Sequence, residues 1–244
     1  MKPFLAAIQF LTLLPIPARC NCDERDLGRS PFFFPVVGLL IGVGLVVLDR
    51  AASTMFSPMV TNMLVVIAML AVSGGLHMDG LADTADGFFS ARKRERILEI
   101  MKDSRIGAMG VIAIVCVFGL KFAALTSLPD AWRWPALMLM PLAGRCALVI
   151  ELAVLSYARP EGGLGLVFAK NKSRLDVVWA LAVLAVAGYW TAGPMGLIAV
   201  TSAVVVTLVF SVWCHRKIGG FTGDTLGAAC EIAELIPVLV LGIR

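Results

Sequence analysis

Charge is what this chain has least of. Only 16% of its 244 residues are Asp, Glu, Lys or Arg, against roughly 25% in soluble domains, too few to clothe a water-soluble fold. Histidine is nearly absent, with only His77 and His215, and neither has the paired spacing of a zinc site. The six cysteines, Cys20, Cys22, Cys116, Cys146, Cys214 and Cys230, include no Cys-x-x-Cys pair. They therefore read as small core residues or free thiols, and Cys20 with Cys22 makes a poor soft-metal site without a second pair. No long Pro-, Ser- or Gly-rich linker divides the sequence, so residues 1–244 form one integral-membrane domain.

What is present in excess is apolar. Hydrophobic residues make up 59% of the chain and the mean hydropathy is +0.89, which identifies an all-α polytopic membrane protein. Segments long enough to cross a bilayer run at about 31–52, 57–77, 106–128, 131–156, 175–193, 194–213 and 225–242, giving about seven crossings. The fifth and sixth are divided only by Gly193-Pro194, and the seventh contains Glu231 and Glu234, so six is the alternative count. The run Phe4 to Pro17 is shorter than the roughly 20 residues a crossing needs. Pro15, Pro17 and Arg19 replace the small residues of a signal-peptide cleavage site, so this run reads as an interfacial or re-entrant helix. Gly38, Gly42 and Gly44 offer a small-residue surface for helix packing.

Between these segments sixteen Lys and Arg fall on one side and three on the other, with Lys121 and Arg145 inside spans. That bias puts the N-terminus in the cytoplasm and the C-terminus outside.

One long polar stretch, Gly74 to Gly107, interrupts the apolar pattern. Asp79, Asp83 and Asp86 stand at i, i+4 and i+7, within about 60° on one helix face. Three carboxylates so placed either form a solvated face or need a cation. At a membrane boundary ionisable groups are costly and point to function. A hard ion such as Mg²⁺ takes oxygen ligands and bridges to phosphates. Asp103 and Arg105 close the stretch and can face the same ion, with Lys102 beside them. His77, next to this face, reads as a hydrogen-bonding anchor rather than a base.

A second constellation, Gly219 to Glu234, is a glycine-rich turn opening a helix, where backbone N–H groups suit phosphate. Asp224 and Glu231 share a face, with Glu234 on the next turn. The other reading makes Thr222 or Asp224 an N-cap and Glu231 a buried acid paired to a Lys. Arg145 and Lys121, deep in spans, each need a carboxylate, a wet cavity or an anion; Arg145 is expected to stabilise phosphate charge, and Lys121 to do that or to serve in a structural ion pair. The segment 159–168 is either a loop closing over substrate or a plain solvent loop.

The runs Leu76-His77-Met78-Asp79-Gly80-Leu81-Ala82-Asp83-Thr84-Ala85-Asp86-Gly87, Leu98 to Arg105 and Gly220 to Ala228, with the opening Phe10 to Pro17 and the glycines of Glu161 to Phe168, resemble the cobalamin synthase family, or adenosylcobinamide-GDP ribazoletransferases. The resemblance covers the whole chain. It implies a multi-pass enzyme of the cell inner membrane with its active site on the cytoplasmic side. Such an enzyme joins GDP-activated adenosylcobinamide to α-ribazole or its 5′-phosphate, releases GMP and uses Mg²⁺. On that basis Asp79, Asp83 and Arg145 are the expected catalytic residues, with Asp79 favoured as base. Asp79, Asp83, Asp86, Asp103 and Asp224 are the expected metal ligands, and His77, Lys102, Arg105, Gly223 and Glu231 the expected substrate contacts. The bilayer is an expected partner and nucleic acid is not; a homo-oligomer and contacts with other corrinoid-pathway enzymes stay open. Two other readings are a CDP-alcohol-type phosphatidyltransferase, although the Ala-Arg that family carries after its first Asp-Gly is missing here, and an acid-lined cation transporter.

Overall fold

The computed structural model describes residues 1–15, 22–159 and 161–243; Pro17, Arg19 and Cys20, which entered the reading above, lie outside them. In order, the helices are α1 (Lys2–Leu11), α2 (Glu24–Gly28), a 3₁₀ turn (Ser30–Phe33), α3 (Phe34–Ser53), α4 (Pro58–Val72), α5 (Leu76–Phe88), α6 (Arg94–Ile100), α7 (Ala108–Ser127), α8 (Asp130–Val154), α9 (Leu164–Lys170), α10 (Arg174–Ile218) and α11 (Gly223–Leu241). Among the described residues the only sheet-like pairing is a parallel bridge between Tyr157 and Phe221. The chain is an all-α polytopic membrane protein.

Apolar side chains turn outward along the long helices, as a lipid-facing surface requires: Val43 and Val47 on α3, Ile112 and Val115 on α7, Val205 and Val209 on α10 are all exposed. The centre is α8, buried at every position from Pro135 to Leu152 except Met138; a helix apolar all round belongs inside a bundle. Packing against α3 is close because a Cβ on Gly38 would lie 2.9 Å from Leu142 Cα, and one on Gly42 2.9 Å from Met138 Cα. Gly44, expected on the same surface, faces open space.

Among the described residues, four helical stretches are long and apolar enough to cross a membrane: Ser30–Ser53, Ala108–Ser127, Asp130–Val154 and Arg174–Ile218; the pair α4 and α5 makes a fifth if it is one broken span. α10 runs for 45 residues but breaks at Gly193, at φ 56° and ψ −138°. Its halves fold back on each other, since the ideal Cβ of Gly188 lies 3.0 Å from Gly196 O and 3.1 Å from Val200. In a straight helix eight residues would separate the two glycines by about 12 Å. α11 is of comparable length, at 19 residues, but carries Asp224, Glu231 and Glu234.

The apolar run expected to reach residue 77 stops as helix at Val72. Gly74 and Gly75 adopt φ of 62° and 76°, a conformation that favours glycine, and the axis turns by 85° into α5. α5 therefore lies across one end of the bundle, outside the spans. It touches the start of α11 through Gly80 and the start of α7 through Asp86, and Lys217 Nζ closes its far end by donating to Phe88 O (2.8 Å). α6 is tied to the same end by Arg94, which donates to Ile218 O (2.6 Å) and Ala158 O (2.9 Å). α1 joins there as well, with Leu13 N–H donating to Val72 O (2.8 Å).

Candidate active site

The acidic face of α5 is assembled as its spacing predicts, but the three carboxylates have different surroundings. Asp79 is exposed, while Asp83 and Asp86 are half-buried. Asp86 is engaged with protein: Gly107 N–H donates to Oδ2 (2.7 Å) and Gly110 N–H to Oδ1 (2.9 Å). These are the orphan donors of the α7 N-terminus, and a carboxylate there also complements the helix dipole. Asp79 and Asp83 have no side-chain hydrogen bond or ion pair among the described residues. Burial, then the charges of Asp224, Asp79 and Asp86, push the Asp83 carboxyl up to about 7. Uncompensated negative charge is thus concentrated between α5 and α11.

The start of α11 supplies the fourth acid. Thr222 caps it reciprocally with Thr225: the Thr225 N–H donates to Thr222 Oγ1 (3.2 Å) and the Thr222 N–H to Thr225 Oγ1 (2.9 Å). One turn of backbone is thereby fixed with Gly223 exposed and Asp224 half-buried. Asp224 Oδ2 accepts from Arg159 Nη2 (2.6 Å) and from Thr222 Oγ1 (3.3 Å). α5 and α11 meet backbone to backbone, since a Cβ on Gly80 would lie 2.7 Å from Asp224 O and one on Gly227 2.9 Å from His77 O.

Beside this crossing opens a cleft of about 150 Å³, whose rim includes Asp79, Asp224 and Gly223 and whose walls include His77, Leu148, Leu152, Phe10, Phe34 and Phe168. The three phenylalanines pack mutually, with centroids 5.1 Å apart for Phe10 and Phe168 and 5.9 Å for Phe10 and Phe34. The volume is half the lower end of the roughly 300–1,000 Å³ usual for ligand pockets, so it suits one flat apolar group with its polar end at the acids. His77 is 3% exposed and its Nε2 has no hydrogen-bond partner. The segment 159–168 contributes Gly165 and Phe168 to this cleft, so it is part of the wall and not a free solvent loop.

Several expected site residues lie elsewhere. Arg145 is buried in the bundle and ion-paired to Glu234, and it does not line the cleft. Glu231 binds Lys121 Nζ (2.6 Å), and Lys121 also bonds Glu234. These two cations and two anions form a neutral network joining α7, α8 and α11, so Glu231 is ion-paired inside the bundle and does not line the cleft. Asp103 turns to Arg105, which donates to it from Nε (3.0 Å), Nη2 (2.7 Å) and its backbone N–H (3.1 Å). These bonds hold the Asp103 carboxyl down at about 2, and both side chains are spent on each other. Lys102 is likewise occupied by Glu161 (2.6 Å). The five carboxylates named as metal ligands therefore do not converge: among the described residues no group of three or more His, Cys, Asp or Glu side chains is placed to hold a metal ion. Of the expected residues, the structure brings together His77, Asp79, Gly223 and Asp224 around the cleft, with Asp83 beside them.

Two features escaped the sequence reading. Nothing local in the sequence ties Arg159, the first residue of the 159–168 segment, to an acid 65 positions away. The aromatic wall was also missed, although Phe10 and Phe168 both fall in segments that carry the family resemblance.

The chain matches the family described as cobalamin-5-phosphate synthase over residues 3–242. It is similar to three proteins named adenosylcobinamide-GDP ribazoletransferase. The one from Acetivibrio thermocellus is 38% identical, covering 96% of this chain and 94% of the relative. The one from Roseiflexus is 40% identical, covering 98% and 88%, and the one from Geotalea daltonii 36%, covering 99% and 97%. No solved structure matches. With a match spanning nearly its whole length, this chain belongs to the cobalamin-5-phosphate synthase family.

Proposed function

We propose that this chain transfers the adenosylcobinamide phosphoryl group from its GDP-activated form to α-ribazole or α-ribazole 5′-phosphate, releasing GMP. The observation that carries this reading is the meeting of Asp79 and Asp224, from two different helices, on the rim of an aromatic-walled cleft. Phosphoryl transfer asks a protein mainly for positioning and charge stabilisation. The cleft would take the flat base of the acceptor, leaving its ribose hydroxyl at the acids, where Asp79 is free to accept the hydroxyl proton. The corrinoid and the guanosine, too large for the cleft, would lie across the polar end of the bundle.

The donor set suits Mg²⁺, which is usually held by one or two carboxylates with waters and substrate phosphates rather than by an all-protein cage. Asp83 and Asp224 would hold it with waters and the substrate's phosphates, leaving Asp79 as the base, and when bound it would neutralise the diphosphate and stabilise the leaving oxygen. The unpartnered carboxylates of Asp79 and Asp83, and the repulsion that lifts Asp83 to about 7, are the features that favour a cation there.

Counting both halves of α10 and the acid-bearing α11 as crossings, with α4 as another, gives seven. Together with the positive-inside bias, that count supports a reading in which the polar end faces the cytoplasm at the inner membrane. Against a cation path, Glu231 and Glu234 are neutralised by Lys121 and Arg145, which leaves Glu151 as the one acid buried in α8 and α11 without an ion pair among the described residues.

Asn substitutions at Asp79, Asp83 and Asp224, assayed across Mg²⁺ concentration, test the roles. Loss of a metal ligand is partly restored by more Mg²⁺ and loss of the base is not. Full activity in all three variants would remove the acids from the reaction.

A further inference from the structure

Among the described residues, Arg159 is the only Lys or Arg ion-paired to a residue that lines the cleft. Five other cations of the polar end are engaged elsewhere: Lys102 with Glu161, Arg105 with Asp103, and Arg94, Lys172 and Lys217 with backbone carbonyls. Arg159 is also held in place from behind. The bridge between Tyr157 and Phe221 pins the preceding backbone, with Ala158 N–H donating to Phe221 O (2.9 Å) and Phe221 N–H to Ser156 O (2.8 Å). This stations the guanidinium beside the α11 turn.

The contact it makes there is incomplete. Nη2 alone reaches Asp224 Oδ2, at 2.6 Å, and the buried Nε has no acceptor. A guanidinium carries five N–H donors in a fork that suits two-point binding of carboxylate or phosphate. Here one point is used and a neighbouring donor is left unsatisfied, a state that an incoming phosphate with several oxygens would improve.

Resting on the function proposed above, we propose that Arg159 is the residue that receives the substrate's diphosphate. Its guanidinium leaves Asp224 for the phosphoryl oxygens as the substrate arrives. The same exchange strips Asp224 of its counter-charge at the moment when a cation accompanying the diphosphate needs a carboxylate. No covalent bond changes in this step; one anionic partner of Arg159 replaces another. Arg159 thereby couples occupancy of the phosphate position to the readiness of Asp224.

The test is calorimetric binding of inorganic pyrophosphate to the full detergent-solubilised chain, in chelator so that no metal takes part. Charge-assisted hydrogen bonds of this kind correspond to about tenfold or more in affinity, so Arg159→Ala weakens pyrophosphate binding by at least that factor. Arg159→Lys, which keeps the charge but not the fork, falls between. Asp224→Asn acts in the opposite direction and tightens binding, because it removes the competing anion, although it lowers turnover. A purely structural latch would give neither the graded series nor the reversed sign. Unchanged affinity in Arg159→Ala, weaker binding in Asp224→Asn, or no pyrophosphate binding by the unsubstituted chain would each overturn the proposal. GMP release by the unsubstituted chain is measured separately, so failure of the assigned reaction is distinguishable from failure of Arg159 to bind phosphate.

Discussion

Replacing Lys121 by Met should unbalance the centre of the bundle in a defined way. Lys121 is 1% exposed and is the only ion-pair partner of Glu231 among the described residues, whereas Glu234 also has Arg145. The substitution therefore strands one buried carboxylate, Glu231, and leaves the other paired. Removing one partner of a buried ion pair costs about 3–5 kcal/mol. At about 2–4 °C per kcal/mol for a chain of this size, that is a fall in Tm on the order of 10 °C. Adding Glu231→Gln removes the stranded charge and should recover most of the loss, since Glu234 and Arg145 remain a neutral pair. The assay is thermal unfolding in detergent, followed by circular dichroism, for both single variants and the double. A double variant no more stable than Lys121→Met would refute the pairing and return Glu231 to the list of functional acids.

The remaining predictions concern the polar end. Asp83 is protonated up to about pH 7 in the folded chain but only to about 3.9 when unfolded, so between these values the native state binds more protons. In the absence of metal, stability should therefore fall as pH rises from about 4 to 7 and then level off, and Asp83→Asn should flatten that slope; an unchanged slope in the variant denies Asp83 the role. Gly80→Ala drives a Cβ to 2.7 Å from the Asp224 carbonyl, a backbone atom that cannot rotate away. It should cost about 1–3 kcal/mol and reduce GMP release more than tenfold by parting Asp79 from Asp224, and undiminished turnover would show that the crossing is not needed. Phe168→Ala opens the aromatic wall and should raise KM for the ribazole acceptor about tenfold, on the order of 1.4 kcal/mol, with kcat nearly kept; a change confined to the KM of the GDP-activated donor would place the wrong substrate in the cleft.

Much of this architecture was legible because bilayer crossings leave long apolar runs. Even the reversal in α10 was marked by Gly193-Pro194, since Gly tolerates the backbone turn and Pro starts a new helix. The bend between α4 and α5 was not, because apolar residues continue through Gly74 and Gly75 and hydropathy is blind to φ. The acidic face of α5 followed from helical spacing alone. Which charge meets which was a different matter. Arg145 and Lys121 were known to need partners, but whether these were Glu231, Glu234 or a phosphate depends on how α7, α8 and α11 pack, and spacing within one helix says nothing about that. Asp86 shows the same limit: it shares the α5 face with Asp79 and Asp83, yet α7 happens to begin beside it and takes both its oxygens.

The central claim is that the acids where α5 crosses α11 carry out ribazole transfer. It is tested most directly by GMP release from GDP-activated adenosylcobinamide in liposomes containing the chain, with α-ribazole 5′-phosphate and Mg²⁺, beside Asp79→Asn. The account predicts GMP formation that requires both the acceptor and Mg²⁺ and collapses in the variant. GMP release that persists at the same rate in Asp79→Asn, or that proceeds without acceptor, would contradict it.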